Sequence, residues 1–115
     1  MSRSDRLYVE EIIDACRRAR EYTEGTSLVV FRSDQMRIDA VVRNLEIIGE
    51  ASARLPINIR EQSPAIPWRD IVAMRNLLIH AYFSVDVSII WSVVREKLPE
   101  LELQMLELLE KGALD

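Results

Sequence analysis

Apolar residues recur at spacings of three and four along almost the whole chain, and no stretch alternates with the period of two that a strand requires. The first run is Tyr8, Ile12, Ala15, Cys16, Ala19 and Tyr22, which predicts a helix over residues 4–23. Ser4 is the expected N-cap, with Asp5 in the first turn and Gly25 just past the end. Arg17, Arg18 and Arg20 lie off this stripe and read as a solvated face, or as a contact for RNA or a partner. Residues 26–32 read as a connector with Phe31 docked in the core, and Ser33 or Asp34 caps a second helix running to about Arg54. Its stripe of Val41, Leu45, Ile48 and Ala51 is widened by Met36, Ile38 and Ile47, which predicts packing on more than one side. Gly49 costs a helix interior up to ~1 kcal/mol, so it implies a close approach by another helix. Glu46 and Glu50 read as surface charge, or as groups that orient an arginine.

Leu55-Pro56 ends this helix, and one short turn is expected around Ile57 to Gln62. Pro67 suits the first position of a third helix, with Trp68 and Asp70 in its first turn. Ile71, Val72, Met74, Leu78 and Ile79 continue its apolar face as far as His80. Ser84 or Asp86 caps a fourth helix with Ile89, Ile90, Val93, Val94 and Leu98 inward. Pro99 restarts or kinks the chain. Leu101, Met105, Leu108 and Leu109 mark a last helix that stops at Gly112. The expectation is all-α: a compact four- to five-helix up-and-down bundle, one domain over residues 1–115.

Composition sharpens this picture in three places. The lone Cys16 cannot form an internal disulfide, which suits a reducing cytosol. No segment approaches the ~20 apolar residues of a membrane span, and the N-terminus lacks the apolar run of a secretion signal, so a cytoplasmic protein without membrane contact is expected. The net charge of −4 comes entirely from the last 20 residues, and 13 of the 15 basic side chains are arginine. The acidic balance argues against non-specific coating of nucleic acid but leaves room for a local basic site.

The chemistry concentrates in Arg75-Asn76-Leu77-Leu78-Ile79-His80-Ala81-Tyr82, which holds the only histidine of the chain. At about 100° per residue, Asn76 lies near 100° from Arg75, His80 near 140° and Tyr82 near −20°. Asn76 and His80 are i,i+4 neighbours, but one regular helix cannot aim all four groups at a single phosphate. Either the helix loosens after His80, or two copies meet about a twofold axis and share one cleft. Such a cleft suits RNA cleavage by the adjacent 2′-hydroxyl. That reaction needs a base, an acid and a cation for the phosphoryl charge. Histidine serves as base or acid near neutral pH, and arginine grips phosphoryl oxygens bidentately. A histidine on an apolar helix is also a common core residue, and one histidine with one distant cysteine makes no metal-ligand pattern.

The motif of arginine, four residues, histidine, one residue, tyrosine resembles that of the HepT-like toxins of the HEPN superfamily. Here it is Arg75, His80 and Tyr82, with Asn76 after the arginine. The resemblance extends to Asn44-Leu45-Glu46-Ile47-Ile48-Gly49-Glu50-Ala51, to Ile66-Pro67-Trp68, to Asp86 with Ile90-Trp91, and to Leu98-Pro99-Glu100-Leu101. It implies a helical homodimer with a composite site at the interface. The implied activity is that of a metal-independent endoribonuclease toxin, with no cofactor, in which Arg75 and His80 are catalytic and Asn76 and Tyr82 supporting. It further implies a small MNT-type nucleotidyltransferase antitoxin that silences the toxin by transferring AMP to Tyr82, where a bulky anion would block RNA. Two other functions fit the residues: a non-catalytic helical module that docks on such a nucleotidyltransferase, and a structural adaptor in which His80 is packing.

Overall fold

The computed structural model describes the backbone of residues 1–114 and the side chains of residues 1–112. Every regular element among the described residues is helical. α1 (Arg3–Thr23), α3 (Gln35–Arg54), α5 (Trp68–Ala81) and α7 (Leu98–Leu114) are the long members. α2 (Leu28–Arg32), α4 (Ile57–Arg60) and α6 (Val87–Ser92) are short, a 3₁₀ turn covers Tyr82–Ser84, and a π-helical segment covers Val93–Lys97. α3 packs on α1 along one side and on α5 along the other, and α7 lies on α1. The wide apolar band of α3 therefore has the two neighbours it predicts. Met36 is the exception, and it is exposed.

The core is one cluster of apolar residues from every long helix, including Ile12, Val41, Leu45, Leu78, Val94, Met105 and Leu108. Phe31 is fully buried and packs on Trp91, ring centroids 5.3 Å apart. The segment around it is not a plain connector. Ser27 caps it through the Val30 N–H, and it closes a helical turn that drives Phe31 inward. Cys16 is buried, and burial, then the nearby Glu102, pushes its thiol up to about 12.

Caps decide most element boundaries. Asp34, not Ser33, caps α3 by accepting from the Arg37 N–H, and Asp86, not Ser84, caps α6 through the Ser88 N–H. α1 is capped by Ser2 rather than Ser4: the Ser2 hydroxyl accepts from the Asp5 N–H, and the Asp5 carboxylate accepts from the Ser2 N–H. This reciprocal pair satisfies two orphan donors at once, which Ser4 could not do inside the turn. Gly25 takes the left-handed conformation, φ 72°, that turns the chain after α1. Pro67 stands just before α5 as its cap residue, not inside the first turn.

Two expectations at the C-terminal end are corrected. Pro99 does not restart the chain: α6, the π-helical segment and α7 follow one another without interruption. A proline inside an α-helix lacks its N–H and clashes with the carbonyl four residues back. The wider turn before Leu98, whose N–H reaches the Val93 carbonyl, relaxes the ladder where Pro99 enters. Ile89 is exposed at the start of this run, while Ile90, Val94 and Leu98 are buried as expected. Gly112 does not end α7. It lies against the Met1 side chain, where a methyl group would come within 2.6 Å of a Met1 carbon. Asp115 lies outside the described residues.

The arginines of α1 are not a free solvated face. Glu102 of α7 is clasped by Arg20 at 2.8 Å and Arg17 at 3.3 Å, and Arg18 donates to the buried Asn44 of α3 at 2.9 Å. Arg37 donates to the Tyr22 carbonyl. Part of the arginine excess thus ties α1 to the helices beside it.

Candidate active site

Arg75 is set by a contact at the middle of α3. A methyl group on Gly49 would overlap the Arg75 Cβ and come within 2.8 Å of its Cγ and 3.2 Å of the Ile71 carbonyl. Only glycine leaves room for α5 to cross α3 here. The crossing half-buries the Arg75 stem, while its head group turns to the exposed side and donates from Nη1 to Asn76 Oδ1 at 2.9 Å. Nε is buried without an acceptor among the described residues. A planar guanidinium held by one bond from Nη1 keeps Nη2 for an anion.

Asn76 therefore engages Arg75, its neighbour in sequence, not His80. His80 is exposed at the last turn of α5 and makes no hydrogen bond or ion pair among the described residues. Five residues of helix place it ~7.5 Å further along the axis than Arg75 and about 140° around it. It is not a core histidine. Leu77 and Ile79 flank it and are likewise exposed.

The helix loses its regularity directly after His80. Ala81 has φ −140° and ψ 32°, and Tyr82–Ser84 close a 3₁₀ turn. The change sends Tyr82 back over α3, where its hydroxyl donates to Asp39 Oδ1 at 2.7 Å and accepts from Gln35 Nε2 at 2.9 Å. Gln35 also donates to Asp39 at 2.8 Å, closing the triangle. Burial first, then the Asp39 hydrogen bond, holds the phenol above its usual range despite the opposing bond from Gln35. Asn76 and His80 are thus exposed on α5, with the Arg75 head group bonded to Asn76 although its stem packs on α3, while Tyr82 reaches over α3 from the turn that follows. Asp39 and Gln35 have no signal in the sequence that would have singled them out: they are two polar residues one turn apart at an exposed helix start.

Glu50 lies 3.7 Å from Arg43 and does not orient Arg75. No group of three or more His, Cys, Asp or Glu side chains among the described residues is placed to hold a metal ion. No described helix is long and apolar enough to cross a membrane.

Comparison with known proteins places the chain in a family. The chain is 42% identical over 109 residues to a protein of Caldanaerobacter subterraneus subsp. tengcongensis named as a candidate RNase, covering 95% of this chain and 97% of that one. It is 43% identical over 102 residues to the "Probable ribonuclease HepT" of Thermococcus cleftensis, covering 89% and 93%. A third relative, from Methanocaldococcus jannaschii and also named as a candidate RNase, is 36% identical over 103 residues, covering 89% and 94%. No solved structure matches the chain. The family model described as "Ribonuclease HepT-like" matches residues 12–108, a span that contains α5 and both residues that meet Tyr82, and the chain belongs to that family.

Proposed function

We propose that this protein is a metal-independent endoribonuclease whose site forms where the α5 helices of two copies meet. The supporting observation is the outer face of α5. It offers an arginine with uncommitted donors and a solvent-facing histidine, flanked by the exposed apolar Leu77 and Ile79 that a second copy would cover. A twofold pairing supplies two imidazoles and two guanidinium groups to one linkage. One His80 takes the proton of the 2′-hydroxyl as its oxygen bonds to phosphorus. The His80 of the second copy gives a proton to the departing 5′-oxygen as that P–O bond breaks. The Arg75 pair holds the non-bridging oxygens as their charge grows. The products end in a 2′,3′-cyclic phosphate and a 5′-hydroxyl.

The resemblance adds regulation to this reading: the enzyme acts as a toxin, and an MNT-type nucleotidyltransferase silences it by placing AMP on Tyr82. The Asp39 carboxylate is in position to accept the phenol proton as the tyrosyl oxygen attacks phosphorus and pyrophosphate leaves. The test is RNA cleavage by purified protein. Arg75→Ala and His80→Ala each abolish cleavage, and the thermal midpoint of His80→Ala stays near that of the wild type, since its ring is exposed. Cleavage by His80→Ala at the wild-type rate excludes the nuclease reading.

A second reading has its own support. Val29, Met36, Phe83 and Ile89 are exposed, Phe83 fully, and the Phe83 ring meets that of Tyr82 edge-on at 5.5 Å. They suit a module that docks on a nucleotidyltransferase without cutting RNA. Tight association with that partner, with no cyclic-phosphate product under any condition, would favour it.

A further inference from the structure

The arginines of this chain differ in how far they are committed to other groups. Arg17, Arg18, Arg20 and Arg37 are spent on contacts between helices. Arg69, in the first turn of α5, has no ion-pair or hydrogen-bond partner among the described residues and is exposed. It lines an open groove of about 540 Å³ with Arg60, Trp68, Ala73 and Asn76, and no acidic residue lines that groove. Arg60 is steadied by a bond from Nε to the Leu55 carbonyl at 3.1 Å, which leaves both of its Nη groups available. The Trp68 indole N–H is shared between the carbonyls of Arg60 and Ser63, each at 3.1 Å, so the ring is fixed at the groove wall.

The groove leads to the proposed site. Arg69, Ala73, Asn76 and His80 follow one another at four, three and four residues, a straight stripe on the outer face of α5. Asn76, at the near end of the groove, holds Arg75. Arg69 lies ~10 Å down the axis from Asn76. An extended strand covers that distance in about one to two nucleotides. The other cavity beside α5, about 380 Å³, is walled by Leu45, Ile48 and Met74 and carries Asp70 and Glu100 against Lys97, so it lacks the uncontested positive lining of this groove.

We propose that the groove between α4 and α5 is a binding subsite for single-stranded RNA flanking the scissile linkage, with Arg60 and Arg69 on a phosphate about one to two nucleotides away and Trp68 against the base next to it. The subsite rests on the ribonuclease reading for its direction, but its test does not. Binding of a fluorescent, fully 2′-O-methylated oligoribonucleotide, which cannot be cleaved by its own hydroxyl, is measured by anisotropy across a salt series. The double variant Arg60→Gln/Arg69→Gln binds about tenfold more weakly, and the slope of log affinity against log salt flattens by about 1.4, the share of two phosphate contacts on a single strand. Arg69→Lys recovers part of the loss, because a point charge still attracts phosphate. On cleavable RNA, the loss in kcat/KM is larger for a decanucleotide than for a dinucleoside monophosphate. Should the double variant fail to fold, Arg69→Gln alone carries the test, since this exposed side chain supports nothing else. Equal affinity and equal salt slope for variant and wild type overturn the subsite, as does absence of binding by the wild type. If the wild type binds in this groove yet cuts no RNA, the nuclease reading falls and the subsite stands.

Discussion

Arg75 is half inside the protein, and its neighbours explain why that is tolerated. Its stem replaces water with the α3 backbone at Gly49, and its charged end is turned outward by Asn76. The sequence motif makes Arg75, Asn76, His80 and Tyr82 visible as a group, but not which of them touch. Helical spacing favours Asn76 with His80, whereas the observed bond joins Asn76 to Arg75, because the packed stem leaves the guanidinium lying along the helix. Tyr82 is legible only as a member of the motif. Its partners Asp39 and Gln35 are more than 40 residues upstream and reach it only because the backbone changes course at Ala81. That contact has a measurable consequence. Burial and the Asp39 hydrogen bond favour the neutral phenol, so their contribution is present below its ordinary pKa of 10 and is lost as pH rises through the raised value. Asp39→Asn removes the carboxylate and moves the Tyr82 titration down toward its ordinary position. The check is the ultraviolet difference titration of Asp39→Asn and wild type, with Tyr82→Phe identifying the tyrosine concerned. An unmoved titration would show that Asp39 does not control this hydroxyl.

At the scale of elements, the crossing of α3 and α5 is the feature on which the site depends. The sequence announces a close approach at Gly49, since a glycine amid helix formers needs a reason. It does not announce the partner, because Arg75 lies more than 20 residues on and the crossing is a tertiary fact. Gly49→Ala adds a methyl group that meets the Cβ and Cγ of Arg75, atoms at the root of the side chain that cannot swing away. The helices must part, and overpacking of this kind costs about 1–3 kcal/mol, more than alanine's better helix propensity returns. The expected outcome is a lower urea midpoint and a loss of RNA cleavage larger than the stability loss explains, since Arg75 moves with α5. A variant as stable and as active as the wild type would mean that the crossing is loose enough to absorb a methyl. The same lesson applies at the other helix ends. The all-α class and the order of the long helices follow from apolar spacing, while Ser2, Ser27 and the π-helical segment that joins the expected fourth and last helices depend on local bonds that spacing does not encode.

At the scale of the molecule, the single chain is well packed but chemically incomplete for the proposed reaction. It has one histidine, and RNA transesterification moves two protons at opposite sides of phosphorus. His80 stands on an outer face of α5 beside exposed Leu77 and Ile79, the side of that helix that neither α3 nor the core covers. Pairing through this face about a twofold axis makes each active site a joint property of two chains. That arrangement differs from two independent sites in a way that mixing reveals. Wild type and His80→Ala are co-refolded at equal amounts, so that subunits combine at random and half of the dimers are hybrids. If both imidazoles serve one linkage, hybrids are inactive and only wild-type pairs cut. Cleavage at constant total protein then falls to about a quarter of the pure wild-type rate and follows the square of the wild-type fraction. If each chain cuts alone, the rate falls only to about half and follows the fraction linearly. A Leu77→Arg change, which puts a charge in the shared face, should yield monomers by light scattering and lose cleavage together with the dimer. A linear mixing curve, or a fully active Leu77→Arg monomer, would return the chemistry to a single chain and require a proton donor other than a second His80.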